Sequence, residues 1–370
     1  MTAPRSAQVI VTGVALAALV AAAVAARPSR GATRPPTGDA SPTAPERLAD
    51  TGLFADVATG LLGPGVLPYV PQYALWTDGA VKRRWIRLPP GASIDASDPD
   101  RWQFPPGMRL WKEFSVGGRR IETRYLARAA DGTWTYATYV WTADGSDARL
   151  APAQGVRAAA SSRPGVPYDV PGTADCRACH EGHPSVVLGF GALQLSPDRD
   201  PGALHPGVPE PGAVDLAALV QRGLVQGLPP EVLARPPRID APTPRARAAL
   251  GWLHANCASC HNGDGPLASL GLSLEQRVGA PGGAAAALAT AVGVVARLRP
   301  GGAEALRLAP GHPEKSLVVA RASSRAPTLQ MPPFGTHLVD EEAVALLSTF
   351  IREDLADAPA TAHAAREKKP

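Results

Sequence analysis

Cysteine is scarce, with four residues in a chain of 370. That excludes a disulfide-dense secreted scaffold, in which paired cysteines make up much of the composition. Methionine is scarcer still, at Met1, Met108 and Met331. Lysine is limited to Lys82, Lys112, Lys315, Lys368 and Lys369, so nearly all positive charge is arginine. Lys+Arg 37 against Asp+Glu 33 leaves a mildly basic chain. Its basic residues are scattered rather than gathered in a stripe, and this argues against nucleic acid as a partner. No Gly-rich phosphate loop, nucleophile elbow or H-E-x-x-H occurs, so the motif signatures of nucleotide binding, α/β-hydrolases and zinc proteases are missing. Beyond the first 26 residues no apolar run is long enough to span a membrane. Proline (40) and glycine (37) are plentiful, which predicts many loops.

What cysteine there is falls into one pattern. Cys176-Arg177-Ala178-Cys179-His180 and Cys257-Ala258-Ser259-Cys260-His261 are two copies of C-x-x-C-H and use every cysteine. C-x-x-C-H is the attachment signature of haem c. Each thiol adds its S–H across one haem vinyl group, and the adjacent imidazole ligates the iron. The spacing suits that chemistry, because positions i, i+3 and i+4 share one face of a helical turn. Cys176, Cys179 and His180 are thus candidates for one covalent haem, and Cys257, Cys260 and His261 for a second. A zinc site pairing the two C-x-x-C segments is the rival. The interval between the pairs is much longer than a zinc ribbon uses, and that site leaves both histidines without a role. Disulfides within the pairs would imply thiol–disulfide chemistry, yet no thioredoxin-like βαβ pattern surrounds them.

The N-terminus agrees with haem attachment. Arg5 precedes an Ala- and Val-rich apolar run from Val9 to Ala26, with a small-residue cleavage option at Ala23-Val24-Ala25. Residues 1–26 read as an export signal, and attachment of haem c takes place outside the cytoplasmic membrane. An uncleaved anchor is the alternative. No cysteine follows the run, so a lipoprotein anchor is excluded. The expected location is the periplasm or the outer face of the cytoplasmic membrane. Residues 27–47 read as a Pro-rich linker.

From 48 to 165 the character changes. Six of the seven Trp and five of the six Tyr lie here. Stretches such as Arg84-Trp85-Ile86-Arg87-Leu88, Arg119–Leu126 and Thr133–Trp141 alternate with period two and are separated by turns such as Gly117-Gly118 and Asp131-Gly132. This predicts an antiparallel, sandwich-like β-domain. Aromatic residues on strands usually form core, and a ligand-stacking platform is the sharper alternative. Residues 166–240 then form a first haem-binding region, 241–355 a helical domain around the second motif, and 356–370 a disordered tail. The predicted class is α+β, with a mainly α-helical haem region after the β-domain. Thr243-Pro244 is a helix start; the helix would carry Cys257 to His261 at its end, and Asn262-Gly263 would stop it. Asp340 would cap a helix running from Glu341 to Ile351.

Met331, in Gln330-Met331-Pro332-Pro333-Phe334-Gly335-Thr336, is the candidate sixth ligand opposite His261. Pro332 favours an extended Met331, and His/Met ligation suits electron transfer. Pro266 lies where its carbonyl region could accept from His261 Nδ1 and so orient the ring. For the first haem the sequence leaves His183, His205, His254, Met108 or an open position. His183 is too near His180 to reach the far side, and Met108 would have to cross from the β-domain. His312 and His337 read as residues of solvated loops, with a capping role for His312 at Pro313-Glu314-Lys315. Asp78, Lys82, Arg83, Arg84 and Glu113 are present without a spacing that picks out a catalytic pair.

Residues 244–353 resemble a single-haem cytochrome c domain. The matching stretches are Trp252–Asn262, Pro310–Ser316, Met331–Thr336 and Val339-Asp340; the resemblance implies His261 and Met331 as axial ligands. More broadly, residues 50–353 resemble an uncharacterised bacterial family of exported dihaem c-type cytochromes. There, a segment like Tyr73–Ile86 precedes two haem motifs, and one like Leu188–Leu195 follows the first. The resemblance implies an electron carrier with two covalent haems and redox-protein partners, not an enzyme. Two rivals stay open: a dihaem peroxidase or oxidase with an open first haem, and a glycan- or cell-wall-binding module with accessory haem domains.

Overall fold

The alternating stretches become strands. The computed structural model describes residues 44–280, 282–297 and 305–358. The expected export segment, residues 27–43 of the linker and residues 359–370 of the tail lie outside them. β1 (Phe54–Asp56) and β2 (Leu61–Leu62) form a small ribbon. β3 (Leu67–Pro68), β4 (Val81–Arg87) and the short β5 (Ile94–Asp95) follow. The long strands are β6 (Arg109–Val116), β7 (Arg119–Arg128) and β8 (Trp134–Trp141), and β9 (Ala148–Leu150) sits at the edge. One six-stranded antiparallel sheet results, in the order β3-β4-β6-β7-β8-β9. The β6–β7 turn is Gly117-Gly118, both with positive φ, the backbone that a tight hairpin turn requires and glycine adopts at least cost. β10 (Val156–Arg163) and β11 (Val166–Val170) make a separate hairpin, and β12 (Val225–Gln226) pairs in parallel with β5.

Alternation gives the sheet two unlike faces. One carries Trp85, Trp111, Tyr125, Tyr139 and Trp141, buried together with Leu48, Leu53, Phe54 and Val66 from the N-terminal segment. The other is apolar at one end, where Ile86, Leu110, Leu126 and Tyr136 pack against Val187, Phe190, Leu195 and Leu219 from the chain after the first motif. The sheet is therefore covered by loops and short elements on both sides, not by a second large sheet as a sandwich would be. The chain before the helices packs on them directly, within the compact unit Ser41–Pro370.

The helices are short: α1 (Thr173–His180), α2 (Leu216–Gln221), α3 (Pro230–Ala234), α4 (Pro244–Cys257), α5 (Gly283–Ala289), α6 (Leu317–Ala322) and α7 (Glu341–Thr349). None among the described residues is long and apolar enough to cross a membrane. The fold is α+β, with the antiparallel sheet first and the helices after it. α4 and α7 pack through Leu250, Leu253, Ala343, Leu347, Phe350 and Ile351, around which Leu274, Ala291 and Leu308 complete a second core. Thr243 caps α4, accepting from Ala246 N–H at 3.0 Å, and Asp340 caps α7, accepting from Ala343 N–H at 3.2 Å. α7 ends at Thr349 rather than Ile351; a π-helical turn carries Phe350 and Ile351 into the core.

Candidate haem site

α1 places Cys176, Cys179 and His180 on one helix. Its first turn is tied down by Gly172 N–H donating to the Asp175 carboxylate at 2.9 Å and Thr173 N–H donating to Ala153 O at 2.8 Å. The helix lies over β8, where the His180 and Tyr136 ring centroids are 5.8 Å apart. The second motif departs from the expected helix: α4 stops at Cys257, and the remaining motif residues form turns. His261 N–H and Cys260 N–H both donate to Cys257 O, at 2.8 and 3.1 Å. The reason is Asn262. Its side chain turns back to donate to Ala258 O at 2.9 Å and Ser259 O at 3.3 Å, offering the backbone partners that compete with another helical turn.

The same amide donates to Gly182 O, two residues beyond His180, at 3.0 Å. The two motifs, far apart in sequence, thus touch. Both open onto one cavity of about 980 Å³ that the four cysteines, His180, His261 and Met331 all line. Leu193, Leu270, Leu272, Leu317 and Val318 give it apolar walls. Its volume is at the top of the roughly 300–1,000 Å³ range of small-molecule sites.

The four thiols are free. Among the described residues no group of three or more His, Cys, Asp or Glu converges as metal ligands would. Burial pushes Cys176 up, pushes Cys179 up to about 11 with help from neighbouring Cys260, and pushes Cys257 up to about 12. These groups are held as S–H, the form that adds across a vinyl, and not as the thiolate that attacks a disulfide.

His180 Nδ1 lies 2.6 Å from Val186 O. The carbonyl accepts a hydrogen bond from Nδ1–H, which keeps the proton on Nδ1 and leaves Nε2 with a lone pair for a metal. Burial, with the charges of Lys112 and Arg124, pushes His180 down to about 4, so the ring is neutral, as a ligand must be. His261 is also pushed down, by burial and then by Arg307 and Arg321. Its Nδ1 is buried with no hydrogen-bond partner; the bond expected from the Pro266 region is not made. Met331 shares the cavity with His261, and its N–H donates to Arg321 O at 3.1 Å. Arg321 thus holds the methionine loop through its carbonyl and acts on His261 through its charge.

The alternatives for a ligand opposite His180 are engaged elsewhere. His183 Nε2 meets Glu275 at 3.0 Å. His205 Nε2 meets Asp340 at 2.9 Å, and its ring packs on Trp76. His254 Nδ1 accepts Gln276 N–H at 3.1 Å, so its proton sits on Nε2 and that nitrogen has no lone pair to give. Met108 is fully buried in the sheet's apolar core. His337 is exposed in a loop, as expected, and at the rim of the cavity its Nε2 lies 3.2 Å from Asp169. His312 stands at a cap position but contacts the Glu314 side chain instead of a helix N–H.

Several residues that hold the site carried no motif. Asp78 accepts His337 N–H at 2.9 Å and Leu338 N–H at 2.8 Å, anchoring the chain just beyond Met331. Asn256 Oδ1 accepts Trp76 N–H at 2.7 Å, and Gln194 Oε1 accepts Tyr73 N–H at 3.0 Å. The Tyr73–Ile86 and Leu188–Leu195 stretches therefore meet each other and α4. Glu275 accepts from Arg101, with one N···O distance of 3.0 Å, and lies within hydrogen-bond distance of His183. Trp76, Trp85, Trp102, Trp111, Trp141 and Trp252 are buried and Trp134 is half-buried; Trp76, Trp102, Trp111 and Trp252 line the cavity. No protein-family model, curated protein or solved structure matches the chain.

Proposed function

We propose that this protein is an exported dihaem c-type cytochrome that passes electrons between redox proteins. The observation that carries the reading is the shared cavity: two C-x-x-C-H segments, in contact through Asn262 and Gly182, direct every thiol and both imidazoles into one space. Cys176 and Cys179 would hold one haem and Cys257 and Cys260 the other, with His180 and His261 on the irons and Met331 opposite His261. Bound haem supplies one-electron chemistry; the protein sets potential, exposure and docking. Val186 O fixes the His180 ring and its tautomer. Asp78, Arg321 and the Pro332-Pro333 pair hold the methionine loop. Leu270, Leu272, Leu317 and Val318 give the cavity an apolar wall near the second motif, and a low-dielectric surround is one of the levers that set a haem's potential.

Haem stoichiometry tests this directly. The chain exported from a host with c-type maturation should give two haems by pyridine haemochrome and an intact mass with two covalent additions. One haem reduces it to a single-haem carrier, and none overturns the reading.

A second reading has its own observation. His183, His205, His254 and Met108 all have other partners, which favours an open position opposite His180 and hence an enzyme of the peroxidase or oxidase type. High-spin absorption from one haem together with turnover of peroxide would establish it; two low-spin haems without turnover would remove it.

A further inference from the structure

Arg84, Lys112 and Arg124 form a row across three neighbouring strands. The register pairs Arg84 with Lys112 and Lys112 with Arg124, and Arg124 in turn with Thr138 on β8. Directly paired residues share a sheet face with Cβ atoms about 5 Å apart, where like charges repel. The row faces the cavity, which all three cations line. Arg84 is only 6% exposed. No hydrogen bond or ion pair reaches its guanidinium or the Lys112 ammonium among the described residues; Lys112 has only the Phe114 ring beneath it. Arg124 alone has a carboxylate, Glu122, at 2.7 Å, and Tyr168 donates to that same carboxylate. On the same face Lys82 likewise has no hydrogen bond or ion pair among the described residues; burial, then the charges of Arg84 and Arg124, push it down to about 7 against the opposing pull of Asp340 and Asp78. Arg84 and Lys112 are thus without an anion at the centre of the row, and burial lowers Arg84 and pushes Lys112 well below its ordinary range. Buried charge without a partner is costly enough that folded proteins seldom keep it without a use.

The row ends at the first motif. Thr138, its neighbour on β8, lies on the strand against which α1 packs, and Arg84, Lys112 and Arg124 line the same cavity as Cys176 and Cys179. Three strand spacings separate β8 from β4, roughly 14 Å at about 4.8 Å each. In haem c the thioether edge and the edge bearing its two carboxylates lie on opposite sides of the macrocycle. We infer that Arg84 and Lys112 receive the two carboxylates of the haem attached at Cys176 and Cys179. This rests on the first motif holding a haem. Each propionate then meets one basic side chain of the row, which restores the charge that burial disfavours, and the arginine fork supplies the paired N–H donors a carboxylate prefers. The sheet serves as the seat of the first haem as well as its cover.

The test uses the full chain exported with haem and starts from its stoichiometry. A single haem, on Cys257 and Cys260, removes the dihaem reading and this inference together before any variant is made. With two haems present, Arg84→Met and Lys112→Met should each lower one of the two reduction potentials and leave the other unchanged. The sign follows from Coulomb's law, since a nearby cation disfavours the extra positive charge of ferric haem. The propionate-bending bands in resonance Raman should shift with the potential, and Lys112→Arg should restore the potential. Unchanged potentials and bands overturn the inference. So does a wild-type potential that moves on adding sulfate or acetate, with the response lost in Arg84→Met; the row would then take a free anion. Should the methionine variants fail to accumulate, Arg84→Lys decides. It keeps the charge but not the fork, so the bands should shift while the potential holds, and unmoved bands overturn the inference.

Discussion

Glu275 shows how one side chain fixes the site and its pH response. Burial alone would push its carboxyl up, but hydrogen bonds from His183 and Arg101 outweigh it and hold the group down at about 2. A folded pKa below the unfolded value of about 4.3 means the stabilisation is complete above that value and is lost as pH falls toward 2. Glu275→Gln should therefore lower stability by about 2–3 kcal/mol at pH 7, with the gap closing between about pH 4.3 and 2. Urea unfolding of the haem-loaded protein at several pH values measures it, and a gap independent of pH would refute the account. Glu275 was invisible in sequence, because nothing in Ser273-Leu274-Glu275-Gln276 signals that Arg101 and His183 arrive from distant segments. The cysteines and histidines of the motifs were legible because their chemistry depends on local spacing alone.

Among the elements, α4 shows what neighbours add to a correctly read helix. Thr243 and Pro244 announced its start, but nothing local explained Gly251 in its middle. A Cβ there would overlap the Tyr73 ring, and Tyr73 cannot retreat, since its hydroxyl donates to Asp200 at 3.0 Å. Gly251→Ala should destabilise the protein by about 1–3 kcal/mol through overpacking, although alanine is the better helix former by roughly 1 kcal/mol. Chemical denaturation gives the value. Adding Tyr73→Leu should recover part of the loss if the ring is the cause. The early end of α4 has the same character: Asn262 reads as a stop signal, but how far its amide reaches back depends on Gly182 being within reach.

Across the whole molecule, the sheet and the helices meet around the cavity, and Asp78 is one of the ties between them. It sits on the turn before β4 and holds the backbone after Met331. Asp78→Ala leaves two N–H groups without their acceptor and should cost about 2–3 kcal/mol. On the proposed dihaem reading it should also release the methionine loop, so that ferric protein loses the charge-transfer absorption of Met-ligated haem and the potential of the second haem falls. Optical spectra and a redox titration check both; an intact methionine band with a normal potential would show that the loop holds without Asp78. Asp340 ties α7 to α4 and to the loop at His205, capping α7 while accepting from Trp252 at 2.9 Å and meeting His205 at 2.9 Å.

The sequence alone determined the features that depend on neighbours along the chain: two C-x-x-C-H spacings, the period of the long strands, the Gly117-Gly118 turn and the caps at Thr243 and Asp340. Tertiary structure decided what depends on residues brought together from afar. It put both motifs on one cavity, gave His183, His205 and His254 partners that take them out of ligation, and left His261 Nδ1 unpaired. It also turned Arg84, Lys112 and Arg124, ordinary alternating residues in three separate strands, into one cationic row. Spacing within a turn is fixed by covalent geometry and can be read from the chain. The facing of strands is fixed by register, and the register is set only when the core closes.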